Sequence, residues 1–151
     1  MPKALIKNLS IYGALFAVIF GSLSHFFYQW SSNNFFVGLF SPVNESLWEH
    51  MKMVFVPFIL FAFLDYYYLR KVVRNYFFAL AKQIFSAIVF ILVVFYTYTA
   101  IVGDSILLID ISSFVVGIIL AKYLGYKILT GSFKKWQFSG INVFSLIMLL
   151  M

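Results

Sequence analysis

There is no cysteine among the 151 residues, which removes disulfides, thiolate metal sites and thiol nucleophiles from the available chemistry. Charge is nearly as scarce. Charged residues make up 11% of the sequence and hydrophobic residues 64%, where a soluble domain carries about 25% and about 45–50% respectively. Such a chain cannot cover a water-facing surface, so a soluble enzyme, a secreted module, a disordered tail and a coiled coil are all excluded. No internal repeat is visible, and the inverted-repeat plan of many transporters finds no support. A cleavable signal is also missing: the first apolar run is too long, and no small-residue cleavage site closes it.

What is present is the pattern of a polytopic membrane protein, with a mean hydropathy of +0.98. The 20 Phe and 10 Tyr suit a surface that faces lipid and is anchored at the interfaces. Crossing about 30 Å of hydrocarbon takes roughly 20 helical residues. Runs at about 9–30, 44–69, 76–100 and 106–129 meet this length. A fifth, 138–151, reaches only about 21 Å and reads as a short or truncated span. The sequence therefore predicts an all-α, polytopic transmembrane helical bundle, with four full spans and a partial fifth forming one integral membrane domain over 1–151.

The net charge of +6 does not point to nucleic acid, because the basic residues cluster between the apolar runs, where they signal topology. Lys3 and Lys7 precede the first run; Arg70, Lys71 and Arg74 follow the second; Lys127 stands at the end of the fourth, with Lys134 and Lys135 after it. The loops 31–43 and 103–105 carry no basic residue. This alternation predicts a cytoplasmic amino terminus, with the first and third loops outside. Gly13, Ala17 and Gly21 on the first run and Ser113, Gly117, Ala121 and Gly125 on the fourth are stripes of small residues, which let helices approach closely in lipid. They predict that these two spans pack together, antiparallel.

One stretch departs from its apolar surroundings: Ser41-Pro42-Val43-Asn44-Glu45-Ser46-Leu47-Trp48-Glu49-His50-Met51-Lys52. Ser41 and Pro42 fit an N-cap and first helical position, which puts Glu45 in the first turn. Glu45, Glu49 and Lys52 then share one helix face at about 100° per residue. Pro57, deeper in the same run, frees the Met53 carbonyl and predicts a kink. A structural account covers part of this set: Glu45 complements the helix end, Glu49 and Lys52 neutralise each other at i,i+3, and Trp48 anchors the interface. Glu49 and His50 sit a turn or two inside the helix, where ionisable groups are expensive and tend to mark function. His25 lies near the outer end of the first run, and the short loop makes it a neighbour of Glu49 or His50. The second half of that loop, Phe35 to Phe40, is apolar enough to dip into the interface as a lid. The candidate ligand-binding set is thus His25, Asn44, Glu45, Trp48, Glu49, His50 and Lys52. Asp65 reads as a structural interface residue near Arg70, Tyr98 belongs to the outer aromatic belt, and Lys122 reads as a lysine that snorkels to the cytoplasmic surface.

The combination His25-x-x-Tyr28-x-Trp30 and Asn44-Glu45-Ser46-x-Trp48-Glu49-His50-x-Lys52 resembles a family of small integral membrane proteins of Firmicutes known only as a domain of unknown function. The hydropathy likeness covers the whole chain, and its specificity rests on residues 25 to 57. An acidic residue often stands in that family where this chain has Gln29, so no charge or metal role is carried over to that position. The resemblance implies a multi-pass protein of a bacterial cytoplasmic membrane and attaches no activity or cofactor.

Three functions fit the pattern. The first is binding or transport of a cation or an amine-bearing small molecule in an outward-facing pocket, drawn by Glu45 and Glu49 and oriented by Asn44 and Trp48. The second is an accessory subunit whose polar helix ends dock a partner. The third is a metal-dependent hydrolase of lipid-linked substrates, in which two histidines and two carboxylates hold an ion whose bound water attacks. The paired-histidine motif of membrane hydrolases of the progestin-receptor and ceramidase type is absent, and Glu49-His50 alone lacks metal-ligand spacing. The expected surroundings are the lipid bilayer and no nucleic acid, with a second copy or a membrane partner protein left open. A tag at the amino terminus is expected to be reached only after the membrane is permeabilised. Detection of that tag from outside intact cells would overturn the predicted sidedness.

Overall fold

A computed structural model of the chain describes residues 2–131. These form α1 (Pro2–Trp30), α2 (Phe35–Gly38), α3 (Leu47–His50), α4 (Lys52–Leu69), α5 (Tyr76–Val102) and α6 (Leu107–Thr130), with no strand among the described residues. α3 and α4 run on as one span with a hitch at Met51, so four helices, Lys3–Trp30, Leu47–Leu69, Tyr76–Val102 and Leu107–Thr130, are long and apolar enough to cross a membrane. The expected all-α bundle of four spans is present. The fifth run, 138–151, lies outside the described residues.

Successive spans alternate in direction, which gives the bundle two chemically different ends. Lys3, Lys7, Arg70, Lys71, Arg74 and Lys127 gather at one; Glu45, Glu49, Asp104, Asp110, His25 and His50 gather at the other. Between them the helices expose Leu15, Ile19, Phe63, Val93 and Leu120. In lipid this costs nothing, because acyl chains are as apolar as the side chains that meet them. Association must then come from close packing, and the fully buried centre is accordingly built around Ala17, Ala87 and Ala121 with Val54, Phe58, Ile84 and Ile118.

The two small-residue stripes serve different neighbours. On α1, a Cβ at Gly13 would lie 2.9 Å from both Lys122 Nζ and the Phe61 ring, and one at Gly21 would lie 2.5 Å from the Met53 carbonyl oxygen and 2.7 Å from Phe114. This helix therefore packs on α4 and α6 together, as the expected pairing of first and fourth spans requires. On α6, however, Gly117 meets Phe90, Ile91 and the Ala87 carbonyl, and Gly125 meets Gln83. The lower part of that stripe is spent on α5, because a hairpin neighbour joined by a short loop competes for the same groove. Pro57 stands inside α4 and cannot donate to Met53; the carbonyl it frees is the one that Gly21 crosses.

Helix limits differ from the hydropathy limits for local reasons. α1 begins at Pro2 rather than near residue 9, since Ile6, ahead of the apolar run, is buried and carries the helix beyond it. It ends where Ser32 and Asn33 adopt φ of 55° and 61°, with Asn33 N–H donating to Tyr28 O (3.0 Å) and Ser32 N–H to Gln29 O (3.1 Å), the paired bonds of a Schellman stop. The second span begins at Leu47, not near 44, because Ser46 rather than Ser41 is the N-cap: its side chain accepts from Glu49 N–H.

Two polar residues are placed differently from expectation. Lys122 does not reach for the surface. It is 5% exposed, lies over the Phe58 and Phe61 rings at 4.5 and 5.3 Å, and its Nζ is 4.0 Å from Asp65 Oδ2. Asp65, 8% exposed, therefore faces the bundle interior, while Arg70 rests on the Tyr67 ring. A lysine this deep in a packed bundle finds a carboxylate at shorter reach than water.

Gly21→Ala is expected to destabilise the bundle by about 1–3 kcal/mol, the cost of overpacking against a backbone atom that cannot step aside. Thermal unfolding in detergent measures it, and an unchanged midpoint would contradict the α1–α4 crossing described here.

Candidate metal centre

The loop after α1 is fastened before it reaches the site. Asn34 caps α2 by accepting from Phe36 N–H at 2.9 Å. Lys52 Nζ donates to the Gly38 carbonyl (2.9 Å) and to Glu49 Oε2 (2.7 Å), and Glu49 Oε2 also accepts from Val43 N–H (3.1 Å). One lysine and one carboxylate thereby clamp both ends of segment 38–43 onto the start of the second span. The Glu49 side chain is only 15% exposed, and its charge is answered by Lys52.

Beyond the clamp, Asn44 Oδ1 accepts from Ser46 N–H at 2.9 Å, a tight turn that leaves Glu45 outside any helix. Glu45 consequently does not share a helix face with Glu49. Its side chain, 78% exposed, swings across to α1 instead. His25 Nε2 lies 3.7 Å from Glu45 Oε1, and His50 Nε2 lies 3.6 Å from Glu45 Oε2. The two imidazole rings are 5.1 Å apart, and one ligand atom from each of His25, Glu45 and His50 falls within 4.8 Å of the others.

These separations are too long for hydrogen bonds. The two histidine–carboxylate separations, made to different oxygens of Glu45, are close to the spacing of ligands around a shared ion: donor atoms about 2.0–2.2 Å from a tetrahedral metal stand about 3.4 Å from each other. His50 is also oriented as a ligand. Its Nδ1 is 2.8 Å from the Ser46 carbonyl, which can only accept, so Nδ1 carries the proton and the lone pair of the neutral ring is on Nε2, facing Glu45. A backbone carbonyl that fixes the tautomer in this way is the usual second partner of a metal-binding histidine. The Nδ1 of His25 is buried and has no hydrogen-bond partner among the described residues.

Of the seven sequence candidates, the structure brings His25, Glu45 and His50 together. Glu49 and Lys52 form the clamp, Asn44 makes the turn, and Trp48 is exposed beside them. Sequence reasoning missed Ser46, which caps the helix and holds His50. The signal was there, since Ser46-Leu47-Trp48-Glu49 has the spacing of a capping box; its glutamate turns to Val43 instead of back to Ser46. At the same end, the Tyr98 hydroxyl donates to Asp110 Oδ1 (2.5 Å) and accepts from Ile106 N–H (3.1 Å), which closes the α5–α6 hairpin and so goes beyond an aromatic-belt role.

Fold and site together define a small all-α bundle of membrane-spanning length with a histidine–carboxylate cluster at its acidic end. The chain belongs to the family of unknown function DUF6512, whose model matches residues 3–151. No curated protein and no solved structure matches it.

Ser46→Ala removes the side-chain cap and leaves in place the backbone carbonyl that holds His50. Its expected cost is about 1 kcal/mol, seen as a lower thermal midpoint in detergent; an unchanged midpoint would mean that the cap does not hold the helix start.

Proposed function

We propose that this chain is a multi-pass membrane protein that binds a divalent transition-metal cation through His25, Glu45 and His50. The spacing of the three donors carries the reading, because Glu45 stands between two imidazole nitrogens at 3.6 and 3.7 Å without a hydrogen bond to either. Two imidazoles and one carboxylate suit zinc and its neighbours rather than calcium or magnesium, which prefer oxygen alone. An amine would be met by carboxylates and aromatic faces; paired imidazole lone pairs favour a metal over it. Glu45 is exposed, and no lysine or arginine lies within ion-pair distance of it among the described residues.

Three protein ligands leave at least one position for water, which is also what a hydrolytic centre needs. The second carboxylate of the stretch, Glu49, is held by Lys52 and Val43, so the reading stops at binding and does not extend to catalysis. The charge alternation supports a cytoplasmic basic end, so the site faces outward, and the family resemblance supports a bacterial cytoplasmic membrane.

The test is elemental analysis of the detergent-purified protein after loading with zinc and removal of free metal. Near-stoichiometric zinc is expected, with affinity at least about tenfold weaker in His25→Ala, His50→Ala and Glu45→Gln. Asp104→Asn, at an acid of the same end whose Oδ1 accepts from Ser105 N–H, should hold zinc like the parent. Equal binding by all four variants would mean that the ion, if bound, sits elsewhere.

A further inference from the structure

A second ionisable pair lies at the far side of the bundle, away from the histidine cluster. Asp65 and Lys122 are both more than nine-tenths buried within spans, yet they do not complete each other. Their separation of 4.0 Å is longer than a hydrogen bond. Asp65 Oδ1 has no partner at all among the described residues. A pair kept for structure alone returns its desolvation cost only when the geometry closes and the remaining lone pairs are satisfied. Neither condition holds here. Ionisable groups inside a membrane bundle are costly and tend to mark function.

The surroundings specify what this pair can take up. On its own helix, Asp65 is accompanied by Ala62 and by the Phe58 and Phe61 rings, which hold the lysine ammonium by their faces. From α5, Tyr76 donates its hydroxyl to the Ala62 carbonyl at 3.1 Å and lies within electrostatic reach of Asp65. From α1 comes Gly13, whose missing side chain leaves room for Lys122 Nζ. Among the described residues, the groups that titrate or carry charge around Asp65 are thus Lys122 and Tyr76. The other four acids, Glu45, Glu49, Asp104 and Asp110, stand at the opposite end. Asp65 is four residues from the end of α4 at Leu69, or about 6 Å along the axis, so the route to water is short on the basic side.

We propose that Asp65 is a proton-binding site within the membrane, with Lys122 as its displaceable counter-ion. A proton from water entering at the basic end goes to Oδ1, leaving the carboxyl neutral. Lys122 keeps its own proton and remains over the Phe58 and Phe61 rings, released from Asp65. The gap between the charges is what lets this exchange occur without breaking a hydrogen bond.

Infrared difference spectra of the full-length protein in detergent, recorded as pH is lowered in H2O and in D2O, test this. A carboxylic C=O band that shifts in D2O and is missing from Asp65→Asn is expected. In Lys122→Met the same band should appear at higher pH, by about one pH unit or more, because the opposite charge that favours the carboxylate is gone. Should Lys122→Met fail to fold, Lys122→Gln is read in the same way. If the spectra of the parent and Asp65→Asn coincide between about pH 4 and about pH 9, a range that brackets the ordinary carboxyl and imidazole values, Asp65 takes up no proton and the pair is structural only. A band that does not move when the lysine charge is removed would equally overturn the role given to Lys122.

Discussion

Lys52 reaches two acceptors at once, the Gly38 carbonyl and the Glu49 carboxylate, and the position of Glu45 depends on that contact. A loop of a dozen residues between antiparallel spans could place its last residues in many ways. Here Glu49 also takes the Val43 N–H, so the chain arrives at Asn44 from one direction. The Asn44 turn and the Ser46 cap then leave a single residue, Glu45, projecting toward α1. His50, on the first turn of the same span, is fixed by the Ser46 carbonyl. The cluster is therefore held by the residues around it, and two of the most conspicuous charges in the stretch bond to each other and to the backbone of the loop.

The lipid environment sets the other constraint. With no hydrophobic drive between helices, the bundle is held by near approach, and Gly13 and Gly21 on α1 and Gly117 on α6 stand where neighbouring helices come close. The crossing of Gly21 over the Met53 carbonyl shows how one irregularity makes room for another: Pro57 removes a donor, and α1 comes in beside the carbonyl left free. Charges are sorted to the ends, basic at one and acidic at the other. Lys52 departs from that sorting at the acidic end, where Glu49 answers it, and Asp65 and Lys122 depart from it inside the spans, in a niche formed by Gly13, Phe58 and Phe61.

Most of the fold was legible in the sequence because hydropathy and length are read directly by a bilayer. Four runs became four spans within a few residues. The larger displacements arose where the bilayer is not what decides a helix end: Ile6 carries α1 beyond the apolar run, and Ser46 outcompetes Ser41 as a cap because Asn44 has already turned the chain. The site was legible as a stretch but not as a geometry. Placing Glu45 in a helix aligned it with Glu49 and Lys52, and only the unwound segment 42–46 separates it from them. Lys122 was misplaced for a related reason. A snorkelling lysine and one that turns inward have the same sequence, and the outcome is decided by Asp65 more than fifty positions away.

The most direct test of the account is zinc-edge X-ray absorption on the zinc-loaded protein. Two imidazoles and one carboxylate predict a nitrogen–oxygen first shell at about 2.0–2.1 Å, with outer-shell scattering from both rings that falls by half in His50→Ala. A shell of oxygens alone, or imidazole scattering indifferent to His25 and His50, would contradict the assignment of the centre to the junction of the first two spans.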